Sequence, residues 1–362
     1  MLREKEIKMI DRQIGIVELD KIGSSTINLS LTKMAGVSPE RRDAKIGDCV
    51  IVQAITDNAN YNQLELTTGR LAKINPGDVI AGVLGRRRAL KGFIGDAPTT
   101  VAAGDRLHIL NLGGVIGVSS GACRGLGNPI QVEVIGVAVD ETGATLNIGR
   151  ADSAIQPCES LSKSTAPLVL VAGTCMNSGK TFAAAELVKQ FTRHGKRVAG
   201  AKLSGVACLR DTLNMQDHGA IATASFVECG MPSTVGVDDL APVAKGIITH
   251  LMSSQPDVII VELGDGILGG YSVESIFEDA ELRKATAALV FCASDFVGAW
   301  GGVELLKQKG MAADVVAGSV TDTDMGVQFI ESELKIRAAN ATHGGERLWE
   351  LISDRLSKWS QR

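Results

Sequence analysis

The stretch PLVLVAGTCMNSGKTFAAAELVKQFTRHG, residues 167–195, decides how the second half of this chain folds. Its first seven residues form a continuous apolar run, which predicts a buried strand. A glycine-rich loop follows, and residues 180–195 then have the pattern of a helix that ends at Gly195. A strand, a tight loop and a helix in this order are the context that a phosphate-binding loop requires.

The loop GTCMNSGKT, Gly173 to Thr181, carries the chemistry. Glycines at both ends allow the backbone to approach phosphate oxygens, and the N–H groups at the helix N-terminus then face the anion. Lys180 is predicted to reach the β- and γ-phosphates, and Thr181 to place its hydroxyl on Mg²⁺. A chance glycine-rich turn is the alternative, and the flanking strand and helix disfavour it. The predicted nucleotide-binding residues are Gly173, Thr174, Asn177, Ser178, Gly179, Lys180 and Thr181.

Strands and helices alternate from this loop to the end of the chain. Continuous apolar runs without polar alternation are typical of parallel strands that are covered on both faces. The sequence therefore predicts an α/β domain with a doubly wound, mostly parallel sheet. The further predicted strands are 196–203, 257–264, 287–294 and 313–320, and the further predicted helices are 303–310 and 345–359.

The first half of the chain reads as β-rich. Short apolar runs separated by Gly, Asp and Asn turns predict a small β-barrel or sandwich. The runs are 47–55, 78–85, 105–112, 130–139 and 144–149. We therefore expect a β-rich domain over 1–150, a linker over 151–166, and the α/β domain over 167–362.

Composition excludes several classes of function. The net charge of −4 provides no global attraction for nucleic acid, and the seven Cys and five His form no zinc-site pattern. No stretch approaches the ~20 apolar residues of a membrane span, and the N-terminus lacks the apolar core of a secretory signal. We expect a soluble, cytoplasmic protein that binds neither membrane nor nucleic acid. The loop 85–96 holds Arg86, Arg87, Arg88 and Lys91, and we favour a solvated charged loop over an anion clamp there.

Five residues separate Gly173 from Gly179, one more than in the common phosphate loop. This motif, GT followed by four variable residues and GKT, resembles the phosphate loop of dethiobiotin synthetase and its relatives. These are the cobyrinic and cobyric acid synthases and the MinD-like and MobB-like P-loop proteins. The resemblance covers residues 167–359, is specific at the loop, and implies a P-loop NTPase that uses Mg²⁺ and ATP.

The resemblance also implies roles for residues beyond the loop. Lys202 lies at the end of the strand that follows the first helix, and we expect this strand to lie next to the strand of the phosphate loop. Lys202 corresponds to the family's lysine that contacts the substrate. The segment VELGDGILGG matches the family's third segment and places Glu262 at the carboxyl edge of the sheet, where a carboxylate can hold Mg²⁺ directly or through water. The less favoured alternative is a buried Glu paired with a Lys. The segment NMQDHGA at 214–220 nominates Asp217 as a further metal ligand, with Asp211 as the competing candidate.

One position departs from the family pattern. The Asn that reads adenine is replaced by Gly318, which leaves ATP or GTP open, and Asp322 or Asp324 is the alternative reader of a base. Asp265 is an extra acid beside Glu262.

Three functions follow from these residues. The first is an ATP-dependent ligase that activates a small carboxylate or carbamate by phosphorylation, with Lys180, Lys202 and Glu262 as catalytic residues and Thr181, Asp217 and Glu262 as metal ligands. The second is a regulatory or adaptor NTPase of the MinD/MobB kind, and the third is a small-molecule kinase. The expected partners are a nucleoside triphosphate, a small anionic substrate and a second copy of the chain in a homodimer.

Overall fold

The computed structural model describes residues 8–11 and 14–359. Residues 1–7, 12–13 and 360–362, and with them most of the segment that we judged to lack a secretory signal, lie outside the described residues. The chain divides into two compact units. The first contains Met1–Ala154, Val206–Leu209 and Phe226–Val235, and the second contains Ile155–Gly205, Arg210–Ser225 and Gly236–Arg362. Among the described residues, no helix combines the length and apolar character needed to cross a bilayer.

The first unit is built from short strands and two 3₁₀ segments. The strands are β1 (Lys8–Asp11), β2 (Ile14–Glu18), β3 (Lys21–Ile22), β4 (Met34–Ser38), β5 (Arg42–Asp43), β6 (Cys49–Ala54), β7 (Gln63–Glu65), β8 (Leu71–Lys73), β9 (Val79–Leu84), β10 (Arg87–Arg88), β11 (Phe93–Asp96), β12 (Thr100–Val101), β13 (Arg106–Ile109), β14 (Val115–Ala122) and β15 (Gln131–Val139). The 3₁₀ segments are Ser24–Leu29 and Ile148–Arg150.

The strand pairings of this unit close a small barrel. β6 pairs with β9 and β15, β14 pairs with β9 and β13, and β13 pairs with β15, so that five strands form a ring. Successive residues of a strand point to opposite faces. Val50 and Val52 of β6 accordingly join the core inside the ring, whereas Ile51 packs in a second core that contains Val17 and Val37. The predicted β-rich fold is confirmed, and the pairings choose the barrel over the sandwich.

The predicted strand 144–149 is wrong. Thr145 makes only an isolated bridge to Val139, and a 3₁₀ turn begins at Ile148. The Asn147 side chain accepts a hydrogen bond from the N–H of Gly149, and such a local bond favours a turn over an extended strand.

The second unit alternates strands and helices. The strands are β16 (Leu168–Gly173), β17 (Val198–Ser204), β18 (Ala222–Ser225), β19 (Val258–Leu263), β20 (Thr286–Cys292), β21 (Val315–Ala317) and β22 (Arg337–Ala338). The helices are α1 (Lys180–Arg193), α2 (Arg210–Asp217), α3 (Ala241–Met252), α4 (Val273–Glu278), α5 (Ala280–Ala285), α6 (Phe296–Gln308), α7 (Asp324–Phe329) and α8 (Gly345–Trp359).

The seven strands form one parallel sheet in the order β18-β17-β19-β16-β20-β21-β22. Val171 and Val290 point to the face that α1 and α8 cover, in a core with Leu187 and Ile352. α6 covers the other face, where Gly302 approaches the Phe291 ring so closely that a Cβ would collide with it. The predicted doubly wound α/β sheet is confirmed.

One expected neighbour in this sheet is wrong. β17, which carries Lys202, pairs with β18 and β19 and not with the loop strand β16. The crossover through α1 skips one position, and β19 occupies the space. Lys202 consequently lies directly across from Glu262 in the register of β17 and β19.

Candidate functional site

The phosphate loop joins the carboxyl end of the central strand β16 to the N-terminus of α1. Its backbone takes left-handed conformations at Asn177, with φ of 65°, and at Gly179, with φ of 101°. Asn tolerates this region better than most residues, and Gly adopts it without steric cost. A Cβ at Gly179 would also lie 2.8 Å from the Cα of Gly318. Both conformation and packing therefore require glycine at position 179.

Lys180 lies buried against its own loop, with 6% of its surface exposed. Its Nζ donates hydrogen bonds to the carbonyl of Cys175 at 2.8 Å and to Oγ of Ser178 at 3.4 Å. Burial lowers the pKa of Lys180, and the charge of Glu262 opposes that shift. This ammonium is desolvated and bonded to neutral acceptors, so an anionic phosphate oxygen would be a stronger partner.

Three oxygen-bearing side chains meet at the start of α1. The Thr181 hydroxyl donates to Oε1 of Glu262 at 2.9 Å and lies 3.4 Å from Oδ1 of Asp211. Lys202 Nζ bonds to Oδ2 of Asp211 and lies 3.6 Å from Oε1 of Glu262. We call this group of polar side chains the Thr181 cluster (Thr181, Lys202, Asp211 and Glu262). Its members come from the starts of α1 and α2 and from β17 and β19.

Burial and charge act in opposite directions on the two acids of the Thr181 cluster. Glu262 is 2% exposed, and burial raises its pKa although Lys202 opposes the shift. Burial also acts to raise the pKa of Asp211, but the charge and hydrogen bond of Lys202 outweigh it, so that pKa is lowered. Oε2 of Glu262 has no hydrogen-bond partner within the described part of the chain. A buried polar atom without a partner is costly, and a bound water, metal ion or other ligand at this atom would remove that cost.

The donor set of the Thr181 cluster fits Mg²⁺. Across residues 8–11 and 14–359, no group of three or more His, Cys, Asp or Glu side chains is arranged to hold a metal ion by itself. Mg²⁺ prefers oxygen ligands, retains several waters, and commonly binds through one or two carboxylates plus substrate phosphates. Thr181, Asp211 and the free oxygen of Glu262 offer such a partial set.

The two candidate acids on α2 lie in different surroundings. Asp217 is the exposed last residue of α2, whereas Asp211 lies in the first turn of that helix. Six residues of helix separate the two carboxylates by about 9 Å along its axis. Asp211 in the first turn contacts the Thr181 hydroxyl, which favours it over Asp217, and the choice of Asp217 as a metal ligand stays a prediction.

Gly318 has a packing role that its sequence position did not reveal. A Cβ at Gly318 would collide with the carbonyl oxygen of Ser178, so the residue leaves room for the phosphate loop. Asp322 is exposed and accepts a hydrogen bond from Asn340 at 2.8 Å, and Asp324 is exposed in the first turn of α7. Asp265 follows β19 with φ of 61°, a strained conformation of the kind often found at functional sites.

The loop 85–96 of the first unit uses its arginines internally. Arg87 is buried, donates to the Tyr61 hydroxyl at 3.1 Å and to the carbonyl of Leu110, and lies over the Tyr61 ring. Arg88 pairs with Asp96 at 2.7 Å, and Arg86 lies 3.9 Å from the same carboxylate. These contacts stabilise the loop and favour neither the anion clamp nor a fully solvated loop.

Sequence reasoning missed several exposed apolar side chains that follow the carboxyl ends of strands in the second unit. Leu268, after β19, is 74% exposed, and Val297, after β20, is 81% exposed. The remaining members of this set, all at least half exposed, are Phe182, Trp300 and Met325. Phe182 directly follows the GKT motif, and this apolar residue in the first turn of the helix could have been identified from the sequence as exposed.

For this chain, comparison with known proteins gives matches among solved structures. No protein-family model matches it, and no curated protein matches it. Among solved structures, a DUF1611 family protein from Anabaena variabilis aligns with a TM-score of 0.40 at 12% identity, over 56% of this chain and 63% of that one. Chloroplast FtsY from Physcomitrella patens aligns with a TM-score of 0.38 at 14% identity, over 58% and 71%.

A third structure is the signal recognition particle receptor FtsY from Elizabethkingia anophelis. It aligns with a TM-score of 0.36 at 14% identity, over 55% of this chain and 68% of that chain. Likeness this distant does not bear on activity. The functional argument therefore rests on the residues of the phosphate loop and of the Thr181 cluster.

Proposed function

We propose that this protein binds a nucleoside triphosphate with Mg²⁺ at the phosphate loop and transfers or hydrolyses its γ-phosphate. One observation carries the proposal. The hydroxyl of Thr181, directly after the loop lysine, lies 2.9 Å from Glu262, whose second oxygen is buried without a hydrogen-bond partner among residues 8–11 and 14–359. A hydroxyl and a carboxylate in this relation to a phosphate loop are the arrangement that binds Mg²⁺ beside phosphates.

Each residue then has a defined task. The N–H groups of the loop and the N-terminus of α1 bind phosphate oxygens. Lys180 leaves Cys175 and Ser178 to neutralise phosphate charge, and Thr181, Asp211 and Glu262 hold Mg²⁺. The metal supplies charge neutralisation on the phosphates when it is bound. Positioning and charge stabilisation account for most of the catalysis of phosphoryl transfer.

We take activation of a small carboxylate or carbamate as the first use of the triphosphate, with ATP as the first nucleotide and GTP as the alternative. What supports it is the buried ammonium of Lys202, 8% exposed, at the carboxyl edge of the sheet beside the Thr181 cluster. Ligands of open α/β sheets bind at that edge. The family resemblance of the loop points to the same class of reaction.

A regulatory NTPase is the second candidate, and the exposed apolar residues Phe182, Leu268 and Val297 favour it. Exposed apolar side chains on the segments that follow neighbouring strands are typical of surfaces that contact another protein. The expected homodimer also stays a prediction, which sedimentation with and without nucleotide would check.

The test begins with calorimetry of ATP and GTP, each with Mg²⁺ and with a chelator. Failure of both nucleotides to bind with Mg²⁺ would refute the proposal. Phosphate release is then measured with a panel of small carboxylic acids and with protein fractions. Stoichiometric ADP or GDP formation that depends on one small acid supports the ligase, whereas stimulation by protein alone supports the regulatory NTPase.

A further inference from the structure

Lys202 occupies the position where a cation would sit in the Thr181 cluster. Its ammonium bonds to Asp211 and lies 3.6 Å from Glu262, the same two acids that we assign to Mg²⁺. The register of β17 and β19 places Lys202 opposite Glu262, so this contact is built into the sheet. Two carboxylates share one ammonium here, and Oε2 of Glu262 has no hydrogen bond to any residue that the structure describes.

Lys245, another buried lysine of this unit, shows what a purely structural ammonium looks like. Lys245 contacts Asp279 at 2.8 Å and Glu281 at 2.9 Å, and it donates to the carbonyl of Glu159 at 3.0 Å. Three acceptors use its three donor hydrogens. No phosphate-loop residue takes part. The acids of Lys202 differ, because both also lie within hydrogen-bond distance of the Thr181 hydroxyl.

We propose that the Lys202 ammonium is a resident cation that Mg²⁺ displaces from Asp211 and Glu262. This inference rests on the proposed function, because it takes the Thr181 cluster as the metal site. An ammonium and Mg²⁺ that are held by the same buried oxygens repel each other strongly at low effective dielectric. Lys202 therefore keeps the two acids paired in the ligand-free protein and moves away when the metal binds.

The displaced ammonium has a consequence for the order of binding. Until Mg²⁺ arrives, Lys202 is neutralised by Asp211 and attracts a second anion weakly. After displacement its charge is available at the same sheet edge. A small anionic substrate therefore binds after the complex of Mg²⁺ and the nucleotide. Phosphoryl transfer from the triphosphate then does not begin before the metal is bound.

The first test measures metal affinity without nucleotide. Mn²⁺ binding is followed by electron paramagnetic resonance of the free ion in the wild type, in Lys202→Met and in Lys189→Met. Lys189 pairs with Glu186 on α1, so its variant controls for loss of a paired ammonium elsewhere. Lys202→Met should bind Mn²⁺ about 5–150-fold more tightly, the usual range of coupling between two ligands. The proposal is overturned if Lys202→Met binds Mn²⁺ no more tightly than the wild type does. It is also overturned if neither the wild type nor Lys202→Met binds Mn²⁺ measurably.

Two further measurements guard against poor folding of Lys202→Met, which leaves Asp211 and Glu262 unpaired. The double variant Lys202→Met with Asp211→Asn removes one of the two charges and should fold without the gain in Mn²⁺ affinity. In the wild-type protein, acylation by an amine reagent is mapped to single lysines with and without Mg²⁺. Lys202 should react faster with Mg²⁺ while Lys245 stays constant, and an unchanged Lys202 contradicts displacement.

The outcomes separate this inference from the proposed function. A wild-type protein that binds no triphosphate with Mg²⁺ refutes the proposed function. A protein that binds Mg²⁺ and triphosphate, but whose Lys202 neither competes with Mn²⁺ nor gains reactivity, refutes the displacement alone.

Discussion

Two glycine-containing loops with cationic side chains differ in what those cations do. The loop 85–96 carries four cations, and its buried Arg87 is held by the Tyr61 hydroxyl and the Leu110 carbonyl. The loop 173–181 carries one, Lys180, which bonds only to neutral groups of its own loop. The number of cations is therefore a poor guide to anion binding. The useful signal is a cation whose present partners are weaker than the ligand that would replace them.

The largest expected effect is that of Lys180→Met on nucleotide binding. Loss of a buried charge–phosphate contact costs roughly 2–5 kcal/mol, which is about 30-fold to several thousand-fold in affinity. Calorimetry with ATP and Mg²⁺ measures it. If a folded Lys180→Met bound ATP with wild-type affinity, the loop 173–181 would not differ from the loop 85–96 in anion binding.

The same variant should be at least as stable as the wild type in the ligand-free state. Burial lowers the pKa of Lys180, so the folded state binds its proton less tightly than the unfolded chain does. Stability is therefore reduced at neutral pH and rises as pH approaches the ordinary lysine pKa of about 10.4. Urea unfolding at several pH values should show this rise in the wild type and a smaller rise in Lys180→Met.

The next effect separates Asp211 from Asp217. Asp211→Asn should weaken Mg²⁺ binding in the presence of nucleotide by roughly 10–100-fold, the range seen for groups that support a metal site. Asp217→Asn should leave it unchanged, because that residue lies exposed at the far end of α2. Magnesium titration of phosphate release measures both, and equal losses would return Asp217 to the site.

Arg87→Met should have the opposite effect to Lys180→Met, because it should lower the stability of the fold and leave nucleotide affinity unchanged. It leaves the Leu110 carbonyl without its Arg87 donor, which costs about 1–3 kcal/mol, whereas the Tyr61 hydroxyl still accepts a hydrogen bond from the Leu112 N–H. Nucleotide affinity should stay at the wild-type value, because Arg87 takes no part in phosphate binding. A stable Arg87→Met with weakened nucleotide binding would make the loop 85–96 an anion site after all.

The smallest effect is expected for Arg86→Gln. Arg86 lies 3.9 Å from Asp96, and both side chains are more than a third exposed. Exposed ion pairs of this kind contribute about 0–1 kcal/mol. Denaturant unfolding should show a change within that range, and a larger loss would reveal a contact that Asp96 does not explain.

Sequence patterns alone predict the phosphate loop and the class of the sheet that carries it, and the sheet is confirmed. The reason is that both depend on short-range patterns. Apolar runs such as 257–264 predicted β19 within one residue at each end, and the GKT motif placed Lys180 at the first residue of α1. Glu262 was also found from its local position, at the end of an apolar strand.

Contacts between distant residues became visible in the folded chain alone. The position of β19 between β16 and β17, the contact of Asp211 with Thr181 and the closing of the barrel all depend on pairings that no local pattern encodes. The partners of Lys202 follow from the same cause. Its strand is long enough to predict from residues 196–203, but the register that sets it against Glu262 is a property of the folded sheet.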